Sequence, residues 1–195
     1  MAIRTAPQQT PIRVSLRTER FRLTGLQPHI LTQRYCDWLA DPDVAGPLNR
    51  TAKAPSLQSL RAEISTANGV TRFYVGIFDP DDQPIGYYML HRDPVHRTVS
   101  FNVLIGEKRW WGERVVLETR AALLDHFFAE RGVDKAIGMP LARNFPAVFN
   151  YKRQGWRLEG VLKGQCLAFD GSSRLDQFQF GLSSEDWQEK RKAGQ

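Results

Sequence analysis

The chain has 195 residues, 42% of them hydrophobic and 11% aromatic, which is material for the core of one domain; 25% charged residues exclude wholesale disorder. Lys and Arg number 27 against 21 Asp and Glu, and the net +6 suits a phosphate-bearing partner without requiring nucleic acid. No window reaches the ~20 apolar residues of a membrane span, and MAIRTAPQQTPIR lacks a signal-peptide run, so a cytoplasmic protein with no membrane partner is expected.

Residues 1–18 are polar and aperiodic and read as a loosely ordered arm ahead of one domain over residues 19–188. Phe21-Arg22-Leu23 before Gly25 reads as a short strand. Pro28 opens a helix carrying Tyr35, Trp38 and Leu39, ended at Asp41-Pro42-Asp43. After a loop through Pro55, Ser56 caps a second helix with Leu57, Leu60 and Ile64. Val70 to Phe78, Ile85 to Leu90 and Thr98 to Ile105 are β-branched and aromatic runs joined by short Asp/Pro turns, an antiparallel meander. From Glu113 to Glu130 the period becomes helical, with Val116, Leu117, Leu123, Leu124, Phe127 and Phe128 in one broad stripe.

Lys135 to Met139 reads as a strand, and Asn144 to Gln154 as a short helix with Pro146 in its first turn and Gly155 as a left-handed cap. Trp156–Phe169 and Leu175–Leu182 read as the last two strands, and Glu185 to Gln195 as a charged, fraying end, of which 189–195 is tail beyond the domain. Strand, long helix, strand is a crossover and implies one parallel pairing among antiparallel ones. The expected fold is α/β in the α+β sense: a mixed, mostly antiparallel sheet with a strand–long helix–strand crossover and flanking helices.

Two stretches carry chemistry. The first is Ile105-Gly106-Glu107-Lys108-Arg109-Trp110-Trp111-Gly112-Glu113-Arg114, where strand gives way to the long helix. A helix start presents unpaired N–H groups and about half a positive charge, an anion site that Gly112 lets a ligand approach closely. The second is Asn144 to Trp156. Asn144 and Tyr151 are seven apart, on one helix face, and a Tyr hydroxyl of ordinary pKa about 10 holds its proton at neutral pH and can give it to a departing thiolate. Cys36 and Cys166 make neither a disulfide framework nor a metal cluster and read as core residues; no metal is expected.

Together these stretches resemble the GNAT superfamily of acyl-CoA-dependent N-acyltransferases, and within it the RimJ/RimL-like branch. Arg109-x-x-Gly112-x-Arg114 is similar to the pyrophosphate signature [QR]-x-x-G-x-[GA], departing at the third position. Ile105-Gly106, Trp111-Gly112 and Glu118 match the branch's pattern around the helix start. Asn144, Ala147, Tyr151, Gly155 and Trp156 match N-x-x-A-x-x-x-Y followed by glycine and an aromatic. Glu159-Gly160, Lys163, Asp170-Gly171, Asp176 and Glu185-x-Trp187 also fall in place, so the likeness covers roughly residues 17–188.

The resemblance implies acetyl-CoA as co-substrate. Its pyrophosphate would lie on the N–H groups of Trp110, Trp111, Gly112, Glu113 and Arg114, with Arg109 at the first signature position and pantetheine along Phe101, Val103 and Leu104. Asn144 would orient cofactor or substrate, and Tyr151 would be the general acid. Arg114 must turn its side chain out of the cofactor path or reach a phosphate with it.

No carboxylate lies on Thr98–Ile105 or on Ala136–Leu141, where the family often places its base. A weakly basic amine drained through water fits that lack, and His96, with His91, is the candidate assistant. The reaction implied is direct acetyl transfer to a primary amine of a small molecule (an amino sugar nucleotide or amino acid) or to a protein N-terminus. The acceptor would be chosen by the Asp41–Pro55 loop and the Asp170–Ser173 turn. A homodimer is compatible with the likeness. The alternatives are a catalytically degenerate CoA-binding or sensor module and, less favoured, a nucleic-acid binder suggested by the Lys108–Trp111 run.

Overall fold

The computed structural model describes residues 11–50 and 54–194. Among them one sheet of eight strands runs in the order β1-β2-β3-β4-β5-β6-β8-β7. The strands are β1 (Ser15–Arg17), β2 (Arg22–Gly25), β3 (Arg72–Phe78), β4 (Pro84–Asp93), β5 (Thr98–Ile105), β6 (Lys135–Gly138), β7 (Arg157–Leu167) and β8 (Arg174–Ser183). The helices are α1 (Gln33–Ala40), α2 (Pro42–Ala45), α3 (Leu57–Ile64), α4 (Val115–Glu130), α5 (Phe145–Arg153) and α6 (Ser184–Lys192). All pairings are antiparallel except β5 with β6, which the crossover through α4 makes parallel. This is the mixed, mostly antiparallel sheet expected. No helix among the described residues is long and apolar enough to cross a membrane.

Side-chain alternation divides the core into two layers. Phe73, Val75, Ile77, Tyr88, Leu90, Val99 and Phe101 face α4 and α5, packing on Leu123, Leu124, Phe127 and Tyr151. Their neighbours Tyr74, Phe78, Tyr87 and Leu104 face the other way, onto Tyr35, Trp38 and Leu39 of α1 and Leu60 and Ile64 of α3. Helix starts follow the local chemistry: Ser56 accepts from the Ser59 N–H and Asn144 from the Ala147 N–H, so both helices begin where their caps predict.

Four expectations need correction. The helix expected from Pro28 starts only at Gln33, because Leu31 and Thr32 are extended and set a single 3-10 turn, Pro28–Ile30, apart from it. The arm is not loose throughout: Ser15–Arg17 forms β1 against β2, and Glu118 of α4 holds the segment by accepting from the Thr18 hydroxyl, the Arg20 N–H and the Arg20 guanidinium. Residues 1–10 lie outside the described residues. The charged end does not fray from Glu185; Ser183 caps α6, and the buried Trp187 donates its indole N–H to Asp125 of α4 at 2.7 Å. The long helix starts at Val115 rather than Glu113, because Gly112 (φ +83°) and Arg114 (φ +58°) both take left-handed backbone that ends helical winding toward the N-terminus.

Candidate active site

The site lies where β5 and β6 part. Their parallel ladder joins only Thr98, Val99 and Ser100 to Lys135, Ala136 and Ile137, whereas β5 stays paired with β4 along its whole length. Beyond Ser100 the strands diverge, and Tyr151 of α5 fills the crotch. Its hydroxyl donates to the Phe101 carbonyl at 3.2 Å, its ring stacks on Phe180 at 5.1 Å, and a Cβ added to Gly138 of β6 would run into it. Glycine at 138 is therefore what lets the phenol enter. Since the Phe101 carbonyl faces this fork, strand alternation turns the N–H and C=O of Val103 to the same side. They form a free strand edge for an extended ligand.

A cleft of about 820 Å³ opens from the fork. It is lined by Phe101 to Ile105, by Trp110, Trp111, Gly112 and Arg114 before α4, by Val116, Leu117 and Arg120 within α4, by Asn144, Ala147, Tyr151 and Arg153 at and along α5, and by Cys166 and Gln177. The first turn of α4 has no preceding helical carbonyls to bond its N–H groups, and its residues Val115, Val116 and Leu117 line the cleft. Nothing stands within 4 Å of where a Gly112 Cβ would lie, so a phosphate can approach the backbone there. The turn is braced from behind. Trp111 donates to the Ile105 carbonyl, Trp38 donates to Glu107, and Lys108 bridges Asp41 and Asp43 at 2.8 and 2.6 Å.

Most residues singled out from the sequence meet here: Phe101, Val103, Leu104, Trp110, Trp111, Gly112, Arg114, Asn144 and Tyr151 all line the cleft. Asn144 is committed to structure as well, capping α5 and donating to the Pro47 carbonyl at 3.2 Å. Three residues stand elsewhere. Arg109 turns away to the buried carboxylate of Asp79 at 2.7 Å and so anchors the turn from outside. Glu113 is exposed and does not line the cleft. His96 sits in the turn between β4 and β5, its N–H on Asp93, at the end of β5 away from the fork. It is not among the residues that line the cleft.

Asp43 is the one carboxylate among the described lining residues, and Lys108 already holds it. The Asp41–Pro55 loop is tied to the segment just before the Asp170–Ser173 turn, since Asn49 donates to the Leu167 carbonyl and accepts from the Phe169 N–H. Cys166 lines the cleft rather than the core, its thiol donating to Gln177. Sequence reasoning missed Arg120, which is fully buried beside Tyr151.

The sequence model of the acetyltransferase (GNAT) domain family matches residues 20–157, and the chain belongs to that family; it is an N-acetyltransferase, and members use acetyl-CoA. No curated protein matches it in sequence. Solved structures resemble it in fold. A GCN5-related N-acetyltransferase from Brucella melitensis superimposes with a TM-score of 0.76 at 17% identity over 95% of this chain and 85% of that one. The spermidine N-acetyltransferase of Vibrio cholerae, in complex with CoA and spermine, gives 0.75 at 15% identity over 86% and 98%. An acetyltransferase from T. thermophilus gives 0.72 at 22% identity over 93% and 94%.

Proposed function

We propose that the chain moves an acetyl group from acetyl-CoA directly to a primary amine, with Tyr151 as general acid, in the manner of the RimJ/RimL-like branch. The carrying observation is that the Tyr151 hydroxyl, the free edge of β5 and the open start of α4 border one cleft. In this reading the N–H groups from Gly112 into the first turn of α4 take the diphosphate, with Arg114 as a charged neighbour. Val103 pairs with the pantetheine amides, which brings the thioester to the fork. The amine nitrogen attacks the carbonyl carbon, the C–S bond breaks with its electron pair on sulfur, and Tyr151 gives that sulfur its proton. The surplus proton on nitrogen returns to Tyr151 through water.

The lining charges argue about the acceptor. Arg114, Arg120 and Arg153 outnumber Asp43, which Lys108 neutralises. A polyamine of the spermidine kind would find no free carboxylate among the described lining residues, so the acceptor is a neutral or anionic molecule with one weakly basic amine. An amino sugar nucleotide, an amino acid or a protein N-terminus fits. For an α-amino group near 7.7–8.0, about a tenth is already neutral at pH 7, against about a thousandth for a lysine-type amine. The test is Tyr151→Phe assayed by thiol release with a panel of such amines. Turnover should fall about 10²-fold or more while KM for acetyl-CoA changes little. Full turnover by that variant across pH 6–9 overturns the acid assignment.

A further inference from the structure

Arg120 is out of place by every packing rule. It lies on α4, 1% exposed, with its guanidinium 4.2 Å from the ring centre of Tyr151 and 5.2 Å from that of Trp156. Its Nε donates to the Gln154 Oε1 at 2.5 Å, and Gln154 is itself fixed by donating to the Leu117 carbonyl at 2.8 Å. Its Nη2 is buried with no hydrogen-bond partner. The titratable groups that face it are Tyr151 from α5 and Tyr88 from β4, whose hydroxyl meets that of Thr119. The remaining neighbours, Gln154 and Trp156, carry no charge, and no carboxylate of the described residues pairs with the guanidinium. A buried cation without a counter-ion is destabilising, and an apolar side chain of similar volume would pack there without that penalty.

We propose that Arg120 is a positioning residue for Tyr151: its unneutralised guanidinium supplies the counter-charge for the phenolate that Tyr151 becomes when it hands its proton to the departing sulfur. The inference rests on the reading of Tyr151 as the acid. The geometry fits the task. The cation lies against the ring, where phenolate charge is delocalised, while the hydroxyl stays at the fork on the Phe101 carbonyl. The Gln154 clamp holds it there before any charge develops, so little reorganisation accompanies the proton transfer. The sign is consistent. Burial pushes the Tyr151 hydroxyl above its ordinary value and weakens it as an acid, and Arg120 offsets part of that rise. In the resting enzyme the cation has no anion to meet; in the step where C–S cleavage leaves Tyr151 deprotonated it has one, until the proton from the acylated nitrogen restores the phenol.

The test is a double-mutant cycle between Arg120→Leu and Tyr151→Phe, with Arg120→Met as a second variant that keeps the stem length. Melting temperature and near-ultraviolet circular dichroism verify the fold of each. Arg120→Leu should lower kcat about tenfold or more in the wild-type background, leave KM for acetyl-CoA within about twofold, and move the alkaline limb of the kcat profile to higher pH. It should do nothing further in the Tyr151→Phe background, because residues acting as a unit are not additive. With the acetyl thioester of an acidic aryl thiol, whose leaving group needs no proton, the deficits of both single variants should shrink. An Arg120→Leu loss that is equal in both backgrounds, or equal with both donors while the Tyr151→Phe deficit shrinks, overturns the assignment to Arg120 and leaves Tyr151 standing; a Tyr151→Phe deficit that does not shrink removes the acid as well. Full activity of Tyr151→Phe removes the acid itself, and the role of Arg120 with it.

Discussion

The two flanks of β5 are built from the same backbone and behave differently. Toward β4 the ladder is unbroken from Gly86↔Ile105 to Asp93↔Thr98; toward β6 it stops after three residues. On the closed flank every amide is consumed by structure. On the open flank the unspent amides, the phenol of Tyr151 and the start of α4 share one cleft. The site is thus made by withholding strand pairing, and its residues are held by elements that the complete ladder keeps rigid.

The comparison can be broken from either side. Ile77 is fully buried in β3 on the closed flank, and Ile77→Ala should cost about 2–5 kcal/mol in urea unfolding while kcat per folded molecule stays near wild type. Gly138→Ala acts on the open flank by driving Tyr151 from the crotch. It should lower kcat by about 10²-fold, since small misplacements of reacting groups are that costly, and a wild-type rate would show that the phenol need not lie there. Glu118→Gln loosens the strap across α4 and should cost about 1–2 kcal/mol at pH 7.

The pH dependence of that last effect has a definite sign. Burial alone would raise the Glu118 carboxyl, but the hydrogen bonds from Thr18 and Arg20 outweigh it and hold the group below its ordinary value. Its stabilisation is therefore complete above the unfolded value near 4.3 and fades as pH falls through the lowered folded value, so the gap between Glu118→Gln and wild type should close in acid. The smallest effect is expected at Arg114. A non-glycine residue at φ +58° carries about 1 kcal/mol of strain, so Arg114→Gly should change the unfolding free energy by no more than that, while raising KM for acetyl-CoA a few-fold at low salt.

The sequence carried the helix caps, the meander and the crossover, because Ser56, Asn144 and Gly155 and the change of period from two to 3.6 are local signals. It carried the cleft wall too, since Gly112 and Tyr151 sit in recognisable spacings. What it could not carry was tertiary. Three residues of β1 have no periodicity to read, and α6 is polar or charged except where Trp187 docks. His96 lies in the turn before β5, with about 10 Å of strand between Thr98 and Phe101, and only the direction of β5 reveals that it stands at the other end. Arg109 and Arg114 look alike as loop cations until Asp79 claims one of them. Arg120 falls within the apolar stripe, between Val116 and Leu123, and no local rule marks a cation there as buried without a partner.

The strand order has a consequence for biosynthesis. β1 to β5 neighbour one another in chain order, but β6, four residues long, is braced on its far side by β8, which begins at Arg174. Translation delivers the complete ladder first, whereas the wall of the fork must wait for the last strand to leave the ribosome. A nascent chain arrested before Arg174 is accordingly expected to hold a protected meander and no acetyltransferase activity, which amide exchange on stalled chains would reveal.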